Sequence, residues 1–144
     1  MKVDIGGKTI ELDVDADLAL SEETLDQDMC SLPRTIGKYA EIMGVAHVHA
    51  SNMKHNMEVV EAVADQAIRA KAQQSGEKTT EPAIKQQVSM DPAVQAARRA
   101  YYAADGQHKT LEGLYRALRD KSNIAIAICY KMKEEIRVMN SPIN

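Results

Sequence analysis

The chain has 144 residues, enough for one domain with a modest core, and it contains neither Phe nor Trp, so Ala and Met carry much of the apolar load. Small and flexible side chains of this kind suit close helix–helix packing better than a globular core. The net charge of −3 argues mildly against a nucleic-acid partner, yet residues 1–31 hold nine acids against Lys2 and Lys8, while residues 32–144 hold sixteen bases against twelve acids.

Residues 2–14 alternate, with Val3 and Ile5 before Gly6-Gly7 and Ile10, Leu12 and Val14 after it. Period-two alternation around Gly-Gly predicts a small N-terminal β-hairpin, within an acidic arm over 1–20. The remaining residues, 21–144, are expected to form one helical domain. Ser21 is a good N-cap with Glu22 and Glu23 in the first turn, which predicts a short helix over about 22–31. Leu32-Pro33 is expected to stop it, because the residue before proline is pushed out of the α region.

Pro33 then suits the first position of a long helix reaching about Ser75. Its apolar seam is Ile36, Tyr39, Met43, Ala46, Ala50, Met53, Met57, Val60, Ala64 and Ala67, stepping by three and four, with Gly76 as the C-terminal cap. Thr80 and Pro82 predict a short connector helix over about 81–88. Asp91-Pro92 gives an N-cap and first-turn proline for a last helix reaching about Asn140. Its seam runs through Val94, Ala97, Tyr101, Ala104, His108, Leu111, Tyr115, Leu118, Ser122, Ala125, Cys129, Met132, Ile136 and Met139. The phase passes through the weak Asp105-Gly106 step, so one continuous helix of ~70 Å is expected.

Two seamed helices of similar length joined by a compact connector predict an all-α fold, a long antiparallel, coiled-coil-like helical hairpin. Two helices bury one stripe each. Ile42, Val45, Val59, Ile68, Leu114, Ile124 and Ile128 lie off the seams, and this leftover apolar surface predicts self-association.

No motif points to catalysis. His47, His49, His55 and His108 lack a Glu-x-x-His pair, and His47 and His49 face different sides of a helix, so neither metal nor cofactor is expected. There is no nucleophile elbow, phosphate-binding glycine loop or zinc motif. Cys30 and Cys129 read as buried, reduced thiols of an intracellular protein. An acidic N-terminus without an apolar core segment predicts no signal peptide, and no apolar run approaches a bilayer span, so a cytoplasmic location is expected.

The bases are more informative. Arg69 and Lys71 end the first long helix, Lys78 and Lys85 lie in the connector, and Arg98 and Arg99 open the last helix beside Tyr101 and Tyr102. In an antiparallel hairpin they converge on one tip, where they either neutralise phosphates, with Tyr102 stacking a base, or stand as ordinary solvated helix charges. A second run, Arg116, Arg119 and Lys121, is weaker because Asp120 interrupts it.

These residues also carry a family resemblance. Ile84–Val94 reads IKQQVSMDPAV and Ala117–Lys121 reads ALRDK, and their patterns and ungapped separation resemble the UvsY-like family of phage recombination mediators. Ile68-Arg69-Ala70-Lys71 is similar to the family's basic-Ala-basic patch with the charges in opposite order, and Asp26–Tyr39 carries a comparable Leu-Pro break. The likeness covers roughly residues 22–138, and the acidic arm has no counterpart. It implies a helical hairpin assembling into a closed homo-oligomeric ring. It also implies binding of single-stranded DNA and help for a RecA-like recombinase in displacing single-strand-binding protein, with Arg69 and Lys71 at the DNA-contacting positions. The alternative, from the seams and the acidic net charge, is a helical scaffold that binds only protein.

Overall fold

The computed structural model describes residues 1–76 and 78–139. The chain is an all-α helical hairpin, a long helix pair with a small two-stranded antiparallel sheet at the N-terminus. The strands are β1 (Lys2–Ile5) and β2 (Lys8–Glu11), and the helices are α1 (Val14–Leu18), α2 (Leu25–Ser75), α3 (Glu81–Met90) and α4 (Pro92–Met139). Two compact units share α2 and α4. Among the described residues the first comprises 1–4, 8–44 and 110–139, the second 5–7, 45–76 and 78–109.

The β-hairpin forms as the alternation predicts. Gly6 and Gly7 have φ of 60° and 83°, the positive values that a two-residue type I′ turn demands at both central positions. Val3 and Leu12 are buried, and the backbone N–H of Leu12 donates to the Met1 carbonyl at 2.8 Å. Val14, expected to end a strand, instead opens α1. The reason is local: the Asp13 carboxylate accepts from the Ala16 N–H at 3.3 Å and caps the turn, with Asp15 and Asp17 favourable near its positive end.

In the first unit, α2 begins at Leu25 and runs through Pro33, so the expected short helix over 22–31 and the break at Leu32-Pro33 do not occur. A proline inside a helix removes one backbone donor and costs ~3 kcal/mol. Burial outweighs that cost. Leu25, Met29, Leu32 and Ile36 form one stripe with helical spacing, and they pack against Ala125, Ile128 and Cys129 of α4. Pro33 itself is exposed, and the Ser31 hydroxyl donates to the Asp28 carbonyl at 3.0 Å beside it.

Tyr39 is only 1% exposed, and its hydroxyl donates to the Asp17 carboxylate at 2.8 Å, which ties α1 to α2. Lys121 of α4 is 7% exposed. Its ammonium donates to the Asp17 backbone carbonyl at 3.1 Å and lies 3.6 Å from Asp28. Three helices thus meet on Asp17 and Asp28, and the acidic stretch is held by specific polar bonds.

In the second unit, α2 and α4 again run in opposite directions. His47 meets His108 with ring centroids 5.0 Å apart, and Glu61 meets Arg98. Ala64, Ile84, Val88 and Val94 form the core, with Val60 and Ile68 packed against it, so α3 contributes its apolar face to the helix pair. Gly76 caps α2 at φ 69°, and Asp91 caps α4 by accepting from the Ala93 and Val94 N–H groups at 2.7 and 3.3 Å.

The α4 seam is buried at Val94, Ala97, Ala104, Leu111, Leu118 and Ala125, a heptad row after the first step. Past Cys129 the same phase continues without cover: Met132, Ile136 and Met139 are 39%, 58% and 84% exposed. The last expected helical residue, Asn140, lies outside the described residues, as does Glu77 of the connector turn. No helix among the described residues is long and apolar enough to cross a membrane.

Candidate nucleic-acid interface

All seven residues singled out for DNA contact, Arg69, Lys71, Lys78, Lys85, Arg98, Arg99 and Tyr102, lie in the second unit. They divide by what they touch. Arg69 is committed: its Nε donates to Asp65 at 2.7 Å, and Nη1 and Nη2 donate to the two oxygens of Glu81 at 2.7 and 2.8 Å. This fork–fork pair is the strong form of a charge-assisted bond. It holds the Glu81 carboxyl below the usual carboxylate range, first through the hydrogen bond from Arg69 and then through its charge, with Lys85 adding to the effect. The same two carboxylates push the Arg69 guanidinium further up.

Arg98 is committed as well. Its Nε donates to Glu61 at 2.7 Å, and Nη1 reaches the Ser89 hydroxyl at 3.5 Å. Arg69 and Arg98 are expected to contact phosphate, and in this structure carboxylates of α2 and α3 occupy both guanidinium groups. Glu61 and Asp65 lie upstream of the basic cluster that begins at Arg69, and Glu81 lies within it. Two of the relevant spacings were visible, since Asp65–Arg69 and Glu81–Lys85 are each four apart on a helix. The Arg98–Glu61 pair spans 37 residues and no local pattern announces it.

The remaining candidates point outward. Lys71, Lys78, Lys85 and Arg99 are exposed. The side chains of Lys71, Lys78 and Arg99 make no hydrogen bond or ion pair with any other described residue. Tyr102, one helical turn beyond Arg99, is 65% exposed, and its ring lies 5.3 Å from that of the half-buried Tyr101. Lys85 and Arg98 share a cleft of about 560 Å³ with Glu58, Glu61 and Asp65. Three carboxylates against two cations make that cleft a poor seat for phosphate, and Lys71, Lys78 and Arg99 are the cations open to phosphate without any rearrangement.

Of the second basic run, Arg119 is exposed while the other two members are engaged within the chain. Arg116 pairs with Glu112, and Lys121 is buried on Asp17 and Asp28. The residues expected to drive self-association also divide. Ile42 is buried within the chain and Ile128 packs against the first unit's core, so neither is leftover surface. Leu114 is half-buried, whereas Val59 and Ile124 are exposed. Cys30 is exposed rather than buried, and Cys129 is half-buried in the core. Among the described residues no three His, Cys, Asp or Glu side chains are grouped to hold a metal ion. Comparison with models of known protein families, with curated proteins and with solved structures gives no match.

Proposed function

We propose that this chain is a non-catalytic recombination mediator that binds single-stranded DNA as a homo-oligomer and assists a RecA-like recombinase against single-strand-binding protein. The observation that carries the reading is the outward set Lys71, Lys78 and Arg99, without internal carboxylate partners among the described residues, with Tyr102 exposed one turn past Arg99. Lysine and arginine neutralise backbone phosphates irrespective of sequence, and an exposed aromatic ring stacks a base for ~1–3 kcal/mol. One such patch binds weakly. Copies joined in an oligomer bind one strand together, because each contact after the first is intramolecular.

Fluorescence anisotropy with an oligo-dT strand tests the reading. Binding is expected to weaken steeply with salt. Lys71→Ala with Arg99→Ala is expected to lower affinity ~10-fold and to flatten the salt slope by about 1.4, the share of two phosphate contacts on a single strand. A wild-type protein without affinity at about 50 mM salt would overturn the proposal.

The rival is a scaffold that binds only protein. Two observations favour it: Arg69 and Arg98 are spent on internal carboxylates, and the first unit has a cleft of about 370 Å³ lined by Leu25, Met132 and Ile136 together with Glu22, Glu23 and Asp26. Oligomers without DNA affinity would select it.

A further inference from the structure

We infer that Arg69 and Lys85 form a phosphodiester-binding site whose resting occupant is the Glu81 carboxylate, so that a nucleic-acid strand binds there by displacing Glu81. The inference rests on the nucleic-acid reading above and adds a competitor to it.

The geometry of the fork is the starting point. Arg69 meets both oxygens of Glu81 at 2.7 and 2.8 Å through two parallel N–H donors. A phosphodiester presents two non-bridging oxygens in a comparable arrangement, and the guanidinium fork accepts either group. Glu81 therefore imitates the ligand. The remaining nitrogen, Nε, stays on Asp65 at 2.7 Å and keeps the guanidinium in place whichever anion occupies the fork.

Glu81 is also placed to leave. It is the first residue of α3, follows the 76–80 connector and is 64% exposed on its side chain. The Thr80 side chain makes no capping bond to α3. What fixes α3 is Ile84 and Val88 in the apolar core, one and two turns further on. Displacing Glu81 thus leaves that packing intact and gives up one solvent-exposed bidentate pair, which the phosphodiester replaces with a fork of the same kind. Lys85 lies four residues along α3 from Glu81, on the same face of the helix, and adds its charge to the same phosphate once Glu81 has left.

The exchange forms no covalent bond. Its signature is that removing a charge from Glu81 tightens binding, through Arg69. Glu81→Gln is expected to bind oligo-dT ~5-fold more tightly than wild type at fixed salt and to steepen the salt slope by about 0.7, one added phosphate contact. Glu58→Gln makes the same change in net charge within the second unit but does not touch Arg69, and it is expected to change affinity less than ~2-fold. Arg69→Ala combined with Glu81→Gln is expected to abolish the gain. If Glu81→Gln binds no more tightly than Glu58→Gln while Lys71→Ala still weakens binding, the displacement is wrong and the nucleic-acid reading stands. If none of these proteins binds the strand at low salt, both fall together.

Discussion

Replacing Tyr39 with alanine is expected to destabilise the protein by about 3–5 kcal/mol, the range for removing a large buried aromatic side chain. Tyr39 is 1% exposed and is one of the largest fully buried side chains of the chain. Truncation removes its ring from the interior and strips Asp17 of the hydroxyl it accepts from. Tyr39→Phe keeps the ring and removes only that bond, so a loss of about 1 kcal/mol is expected. Urea titrations of the two variants separate the parts, and equal losses would show that the hydroxyl rather than the ring matters.

The same residue gives the stability an alkaline edge. Burial, followed by the Asp17 hydrogen bond and the charges of Asp17 and Asp13, pushes the Tyr39 phenol above its ordinary value of 10.0. Below that value the phenol is neutral in the folded and unfolded states alike, so its contribution is complete. As pH rises past it, the unfolded phenol loses its proton while the folded one keeps it, and folding loses free energy. The stability difference between wild type and Tyr39→Phe is therefore expected to shrink as pH climbs above about 10. A difference that holds constant would contradict the buried, hydrogen-bonded phenol.

Leu111→Ala and Leu118→Ala are each expected to cost about 2–5 kcal/mol. Both side chains are fully buried, at 0% and 1% exposure, and they sit a heptad apart on α4. A core that is one stripe wide has few neighbours able to collapse into the space, which favours the upper part of the range. Melting should fall by on the order of 10 °C for each. Ile124→Ala, at an exposed position of the same helix, is expected to stay within about 0.5 kcal/mol of wild type. Similar losses at all three positions would mean that the buried row is misplaced.

The long-range regularities were legible and the single-residue conflicts were not. The α4 seam could be read because each apolar residue repeats the phase of the last, so the pattern survives Asp105-Gly106. The Gly6-Gly7 turn could be read because few residues accept positive φ at two successive positions. Pro33 was misread because the local rule is about backbone sterics, whereas the outcome depended on Leu25 and Leu32 meeting Ala125 far along the chain. The burial of Lys121 has no local signal for a related reason: its partners Asp17 and Asp28 lie about a hundred residues away in sequence. At the candidate interface the residue types were visible, but pairing decides which cations remain available to a ligand. Arg69 and Lys71 stand two apart in sequence and differ entirely in this respect.

The uncovered end of α4 sets a gradient in hydrogen exchange. Amides near Leu111 and Leu118 sit beneath a closed row of side chains, so they exchange only when the whole unit opens. Beyond Cys129 the backbone bonds of the helix have solvent on both sides of the stripe, and Met132, Ile136 and Met139 contribute little to keeping them shut. Deuterium uptake should therefore enter α4 from residue 139 and slow abruptly near Cys129. Leu118→Ala would quicken the protected stretch while leaving the last turns as they were, since their opening draws on a different and smaller free energy.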